Sequence, residues 1–157
     1  MKDTSCSSSH SGLWLLFILD FFSKQWAFGA LEYPLRLTSF LSFDIALNRG
    51  ISWSMFASGN PLVFMALTGV IGAFLFFLSW YSARRREEGH CILGEKLIVI
   101  GGTGNFLDRL YYGGVIDFIH FSYEGWSFPI FNIADICICI GVALLLWQTI
   151  VGTLVHE

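Results

Sequence analysis

Asn105, Asp108 and Arg109 stand at positions i, i+3 and i+4, a spacing that puts an amide, a carboxylate and a guanidinium on one face of a helix. Asn132 and Asp135 repeat the amide and carboxylate at i and i+3. Asp117 stands between the two groups, past Gly113-Gly114, a pair that lets the backbone turn back on itself. Two carboxylates brought together in a low-dielectric site cannot both ionise, so they share a proton and their apparent pKa values split. One then acts as base toward a water while its partner acts as acid. Helix-end capping, with an Asp108-Arg109 or Asp135-Arg109 pair, is the plain alternative for any one of these residues alone.

These residues lie at or beyond the ends of apolar runs, and composition says what the runs are. Of 157 residues 55% are hydrophobic and 13% are charged, with a mean hydropathy of +0.63, too little charge to cover a water-soluble surface. The net charge of −3 gives no reason to expect a nucleic acid partner. Residues 61–82 carry no charge over a length that crosses the hydrocarbon core, for which about 20 apolar residues are needed. Comparable runs at 12–30, 92–110 and 130–154 make four spans. The expected fold is therefore an α-helical membrane protein in a single domain over 1–157. Arg84-Arg85-Arg86 follows the second span directly and marks that short turn as cytoplasmic. Both termini are then cytoplasmic too, and Asp117 and Asp135 meet at the outer face.

Three further stretches complete the expectation. Asp20 and Lys24, four apart in the first run, share a helix face and pair there as a structural ion pair, since a lone charge at mid-bilayer costs about 2.5–3.5 kcal/mol. The same two charges speak against a cleaved signal peptide, and the serine-rich 1–11 reads as a disordered tail. Residues 31–60 are too polar to span. Alternation in Leu35-Arg36-Leu37-Thr38-Ser39-Phe40 and Phe43-Asp44-Ile45-Ala46-Leu47 predicts short strands, with turns at Asn48-Arg49-Gly50 and Ser58-Gly59-Asn60-Pro61. The aromatic residues Phe40, Phe43, Trp53 and Phe56 place this segment in the headgroup layer as a small extramembrane sheet. The stretch 111–129 reads as a glycine-bearing outer loop. Cys6, Cys91, Cys137 and Cys139 form no metal or disulfide pattern and read as small apolar side chains.

Taken in order, Asp20-x-x-x-Lys24, Asn48-x-Gly50, Gly104-Asn105-x-x-Asp108-Arg109, Asp117-Phe118 and Phe131-Asn132-x-x-Asp135 resemble the bacterial lipoprotein signal peptidases, or signal peptidase II, over nearly the whole chain. The resemblance implies an aspartic endopeptidase in which Asp117 and Asp135 are the catalytic dyad. Asn48, Gly50, Asn105, Asp108, Arg109 and Asn132 would line the substrate site, and Asp20 and Lys24 would support the fold. It implies cleavage of prolipoproteins before a diacylglyceryl-modified cysteine, in contact with membrane lipids, by a monomer of the bacterial inner membrane. No cofactor and no metal are implied. Two departures stand out: Ile51-Ser52-Trp53 replaces residues that are generally small in the family, and Ile100 replaces a glycine often found before Gly101.

Two other classes fit parts of the pattern. Asp108-Arg109, Gly113-Gly114 and Asp117 faintly resemble the metal motif of CDP-alcohol phosphatidyltransferases, but that motif needs further aspartates and the residue four after Asp117 is Phe121. Sensitivity to chelators separates the two. A proton or ion carrier would use Asp20, Lys24, Asp108 and Asp135 as a relay, yet relays thread the bilayer, whereas these carboxylates gather at one side.

Overall fold

The computed structural model describes residues 11–50 and 60–155; the expected N-terminal tail, and Trp53, Phe56 and Ser58-Gly59 of the outer segment, lie outside the described residues. Four helices run in order, α1 (Ser11–Ala30), α2 (Pro61–Glu87), α3 (Leu93–Tyr112) and α4 (Ile133–Val155). Between them lie the strands β1 (Leu35–Arg36), β2 (Leu41–Asn48), β3 (Val115–Tyr123) and β4 (Trp126–Ser127), in one antiparallel sheet of order β1-β2-β3-β4. α2 and α4 are long and apolar enough to cross a membrane. Large apolar side chains stand exposed along the helices, among them Trp14 and Phe22 on α1, Met65 and Phe77 on α2, and Leu146 and Trp147 on α4. A water-soluble monomer rarely leaves a continuous belt of that kind uncovered.

α3 is the central element and packs against each of the other three helices. Glycine makes the approach to α4 possible. A Cβ at Gly101 would lie 2.4 Å from the carbonyl oxygen of Ala134, and one at Gly141 would lie 2.6 Å from that of Gly94. The two backbones therefore touch directly, the way small residues let helices associate where lipid removes the hydrophobic drive. Asn60 caps α2, its Oδ1 accepting the Leu62 N–H at 2.9 Å, with Pro61 preset for the first helical position. α2 runs on to Glu87, beyond the expected end at 82, because Arg84, Arg85 and Arg86 suit the negative end of its dipole.

The sheet differs from the expectation in where its strands come from. Of the stretch 35–40 only Leu35–Arg36 is a strand. The residues expected as an outer loop at 111–129 supply β3, the longest strand, and β4. Gly113, in the left-handed conformation at φ 70°, ends α3, and the β-branched and aromatic run that follows has the composition of a strand. β3 pairs with β2 in the register Ala46 to Asp117 and Asn48 to Val115, with a bulge between Phe43 and Ala46. The sheet thus joins the α1–α2 segment to the α3–α4 segment. Among the cysteines, Cys137 and Cys139 are free as expected, while Cys91 is disulfide-bonded rather than a plain apolar side chain.

Candidate active site

The N-terminus of α4 is built by its own first turn. The Oδ1 of Asn132 accepts the Asp135 N–H at 2.9 Å, and a carboxylate oxygen of Asp135 accepts the Asn132 N–H at 3.2 Å, a reciprocal capping box. That box turns the Asn132 amide nitrogen away from its own helix. It donates to Asp117 Oδ1 at 2.7 Å. β3 brings Asp117 to this position because Phe131, just before the cap, is bound to β3: its N–H donates to the Ile119 carbonyl at 3.0 Å and its carbonyl accepts the Ile119 N–H at 2.8 Å. Asn48, the last residue of β2, donates to the other oxygen of Asp117 at 3.0 Å and accepts the Gly50 N–H at 2.9 Å.

Beneath the two aspartates lies a buried ionic floor. Lys24 donates to Asp20 at 2.8 Å, Asp108 at 2.9 Å and Asn105 Oδ1 at 2.8 Å, which uses all three ammonium protons. Because a lysine can only donate, it holds the Asn105 carbonyl oxygen toward itself. The Asn105 amide nitrogen must then face the other way, and it donates to Asp135 Oδ1 at 2.8 Å. Asp20 uses its second oxygen to accept the Ala134 N–H at 2.8 Å, so a carboxylate of α1 caps α4 across the interface. The absence of a Cβ at Gly104 admits this floor, since one there would lie 2.8 Å from Asp20 Oδ2.

The expected site residues therefore meet at one place, although two of them point elsewhere than expected. Asp108, expected on the substrate side, turns instead to Lys24 and accepts the Ile116 N–H at 3.3 Å, because a buried ammonium needs more than one carboxylate acceptor. Arg109 pairs with neither Asp108 nor Asp135: its guanidinium donates to the Gly50 carbonyl and, at 3.5 Å, to that of Arg49. It shapes the turn after β2. The pairing of Asp20 with Lys24 is as expected, but Lys24 also reaches the Asn105 amide, a link that spacing alone does not reveal. Its donor count was the available signal, since three protons in a buried site demand three acceptors.

Asp20, Asp108, Asp117 and Asp135 are gathered in one site, where Lys24 pairs with Asp20 and Asp108. Asp117, outside the helices on β3, is pushed up to about 7 by burial first and by the charge of Asp135 second, against the hydrogen bonds from Asn48 and Asn132. It is therefore able to hold a proton near neutrality. Among the described residues no group of three or more His, Cys, Asp or Glu side chains is placed to hold a metal ion.

The family model described as signal peptidase (SPase) II matches residues 13–151. The chain belongs to the signal peptidase II family. A lipoprotein signal peptidase of Coxiella burnetii (strain RSA 493 / Nine Mile phase I) is 39% identical over 137 residues, covering 84% of this chain and 83% of the relative. One of Yersinia enterocolitica is 37% identical over 156 residues, covering 94% and 91%. A solved bacterial membrane enzyme structure, determined by the in meso method at 2.3 Å resolution, superposes with a TM-score of 0.73 at 28% identity, over 90% of this chain and 86% of that one. A second, at 1.9 Å, gives 0.68 at the same 28% identity. This signal peptidase II chain is accordingly a protease of the bacterial inner membrane, and its expected site residues all fall within the matched region.

Proposed function

We propose that this signal peptidase II acts as an aspartic endopeptidase on lipid-modified prolipoproteins, cutting before the diacylglyceryl cysteine, with Asp117 and Asp135 as the dyad. The observation that carries the reading is the Asn132 side chain, whose amide nitrogen holds Asp117 while its carbonyl oxygen and the backbone of the same turn hold Asp135. Asp117 enters the reaction protonated. Asp135 takes a proton from water, and the hydroxide adds to the carbonyl carbon. Asp117 gives its proton to the departing amine nitrogen, the carbon–nitrogen bond breaks, and the new carboxyl group forms. A proton passing from Asp135 to Asp117 restores the pair. Asn48, Asn105, Asn132 and Arg109 keep the two carboxylates and the turn at Gly50 in place around the scissile bond.

In this reading all four helices span the membrane, in one domain with both termini cytoplasmic and the sheet and dyad at the outer face. α1 and α3 carry charges that a lipid-facing span would not, but Asp20, Lys24 and Asp108 form one buried cluster, and Glu95 is buried against Arg85. The dyad and its partners come from a single chain, so a monomer suffices.

The test is cleavage of a synthetic lipidated precursor peptide by the purified protein. Asp117→Asn and Asp135→Asn should each lower the rate about 10²–10⁴-fold while leaving membrane insertion intact, the usual loss for one catalytic acid or base. A twofold loss would remove that aspartate from the chemistry. Excess chelator should leave the rate unchanged, and abolition by chelator with recovery on adding magnesium would replace the protease with a metal-dependent phosphotransferase.

A further inference from the structure

Thr68 is the only polar side chain in residues 61–78 of α2. It is 6% exposed, and its Oγ1 has no hydrogen-bond partner among the described residues. A threonine inside a helix can give its hydroxyl to the carbonyl one turn back. The two serines of α2 do so: Ser79 donates to the Leu75 carbonyl and Ser82 to the Leu78 carbonyl, each at 2.7 Å. Thr68 leaves the Phe64 carbonyl alone. A buried hydroxyl without a partner loses its hydration and gains nothing in return, so folding by itself gives no reason for a threonine here.

The packing of α2 on α3 sets where this hydroxyl lies. Thr68, Leu75 and Ser82 are the buried residues of α2, spaced seven apart on the face that meets α3. The Arg109 guanidinium carbon lies 5.9 Å from the centre of the Phe64 ring. A Cβ at Gly72 would come within 2.9 Å of the Phe106 ring, and one at Gly102 within 2.5 Å of Leu75. Thr68 is one turn from Phe64 and one turn from Gly72, so it faces α3 between Arg109 and Phe106. Asn105, next to Phe106, holds Asp135, and Arg109 holds the turn at Gly50. The free hydroxyl is thus at the depth of the two aspartates, on the α2 side of α3.

We propose that the Thr68 hydroxyl binds a backbone group of the precursor peptide on the signal-peptide side of the scissile bond. The proposal rests on the reading of Asp117 and Asp135 as a peptidase dyad. A carbonyl inside a helix is bonded to the N–H four residues on, and attack on it requires that bond to open. Each backbone group so released in a low-dielectric site must find a new partner. A hydroxyl donates to a carbonyl or accepts from an N–H, so Thr68 serves either. It reads no side chain in doing so, which leaves the residues of the signal peptide free to vary. Phe64, one turn nearer the start of α2, is half-buried, so a movement of its ring is enough to admit a peptide.

The experiment compares the unaltered full chain with Thr68→Val and Thr68→Ser in detergent, by thermal melting and by cleavage of a synthetic lipidated precursor peptide. Valine keeps the shape and removes the hydroxyl. Because that hydroxyl has no partner in the free chain, Thr68→Val should melt at or above the unaltered chain. Its KM should rise about three- to tenfold, the worth of one neutral hydrogen bond, with kcat unchanged, since the contact is made equally in the bound and reacting states. Thr68→Ser should return KM to near the unaltered value. A merely structural hydroxyl would move the melt and not KM. A lower melting temperature in Thr68→Val, an unchanged KM, or a KM as high with serine as with valine overturns the proposal. The dyad fails by a separate result, undiminished cleavage by Asp117→Asn or Asp135→Asn.

Discussion

A buried amide can point either way, and only neighbours that exclusively donate or exclusively accept decide which. Lys24 settles Asn105, and the Asp135 N–H settles Asn132, so each amide nitrogen is left facing a carboxylate. The consequence for titration rests on Asp117. Its folded value of about 7 lies above the ordinary 3.8, so between those values the folded chain binds more proton than the unfolded one. Stability from this group is complete below about pH 4 and is lost as pH rises through about 7. Melting temperature should therefore fall more steeply between about pH 4 and 7 in the unaltered chain than in Asp117→Asn. The cleavage rate should decline on the alkaline side with a midpoint near 7, as Asp117 loses the proton it donates. A rate that stays level from about pH 6 to 9 would take the proton off Asp117.

At the scale of elements, the site depends on α1 being held to α3 and α4. Asp20, Lys24 and Ala27 follow one another at i, i+4 and i+7, all buried on the face that meets the other helices. The charge on Lys24 is shared by carboxylates of two helices, so the pair reading of Asp20 and Lys24 alone understates it. Lys24→Met leaves both Asp20 and Asp108 buried without their cation, and stranding a buried charge costs about 3–5 kcal/mol. Thermal melts in detergent should show Lys24→Met far below Asp20→Asn, which keeps an acceptor for the Ala134 N–H. Adding Asp20→Asn and Asp108→Asn to Lys24→Met should recover most of the loss. If Lys24→Met melts like the unaltered chain, the floor contributes nothing to holding the helices together.

For the molecule as a whole, the proposed orientation puts the sheet and the three arginines on opposite sides of the membrane. Tyr123, exposed at the end of β3, and Glu88, exposed after α2, report the two sides. Cysteine introduced at Tyr123 should react with an impermeant thiol reagent on intact spheroplasts, and cysteine at Glu88 only after the membrane is opened. The reverse pattern would put Asp117 and Asp135 at the cytoplasmic face and overturn the proposed reaction.

The helices were legible in the chain because a span announces itself by length and lack of charge, and 61–82 and 130–154 predict α2 and α4 closely. The polar residues of the site were legible for the complementary reason, that an apolar run has no use for Asp20, Asn105 or Asp135 except in each other's company. β3 was not, because the glycines at Gly113-Gly114 and the aromatic content that read as a loop equally fit a strand, and only pairing with β2 separates the two. Which partner each polar group takes was decided by the tertiary structure alone. Arg109 goes to the carbonyls of the turn after β2 and Asp108 to Lys24, since neighbours at i+1 on a helix do not face each other and both residues find partners from distant segments. The same holds for Gly101 and Gly104, whose need for a bare Cα comes from Ala134 and Asp20, residues that only packing brings near them.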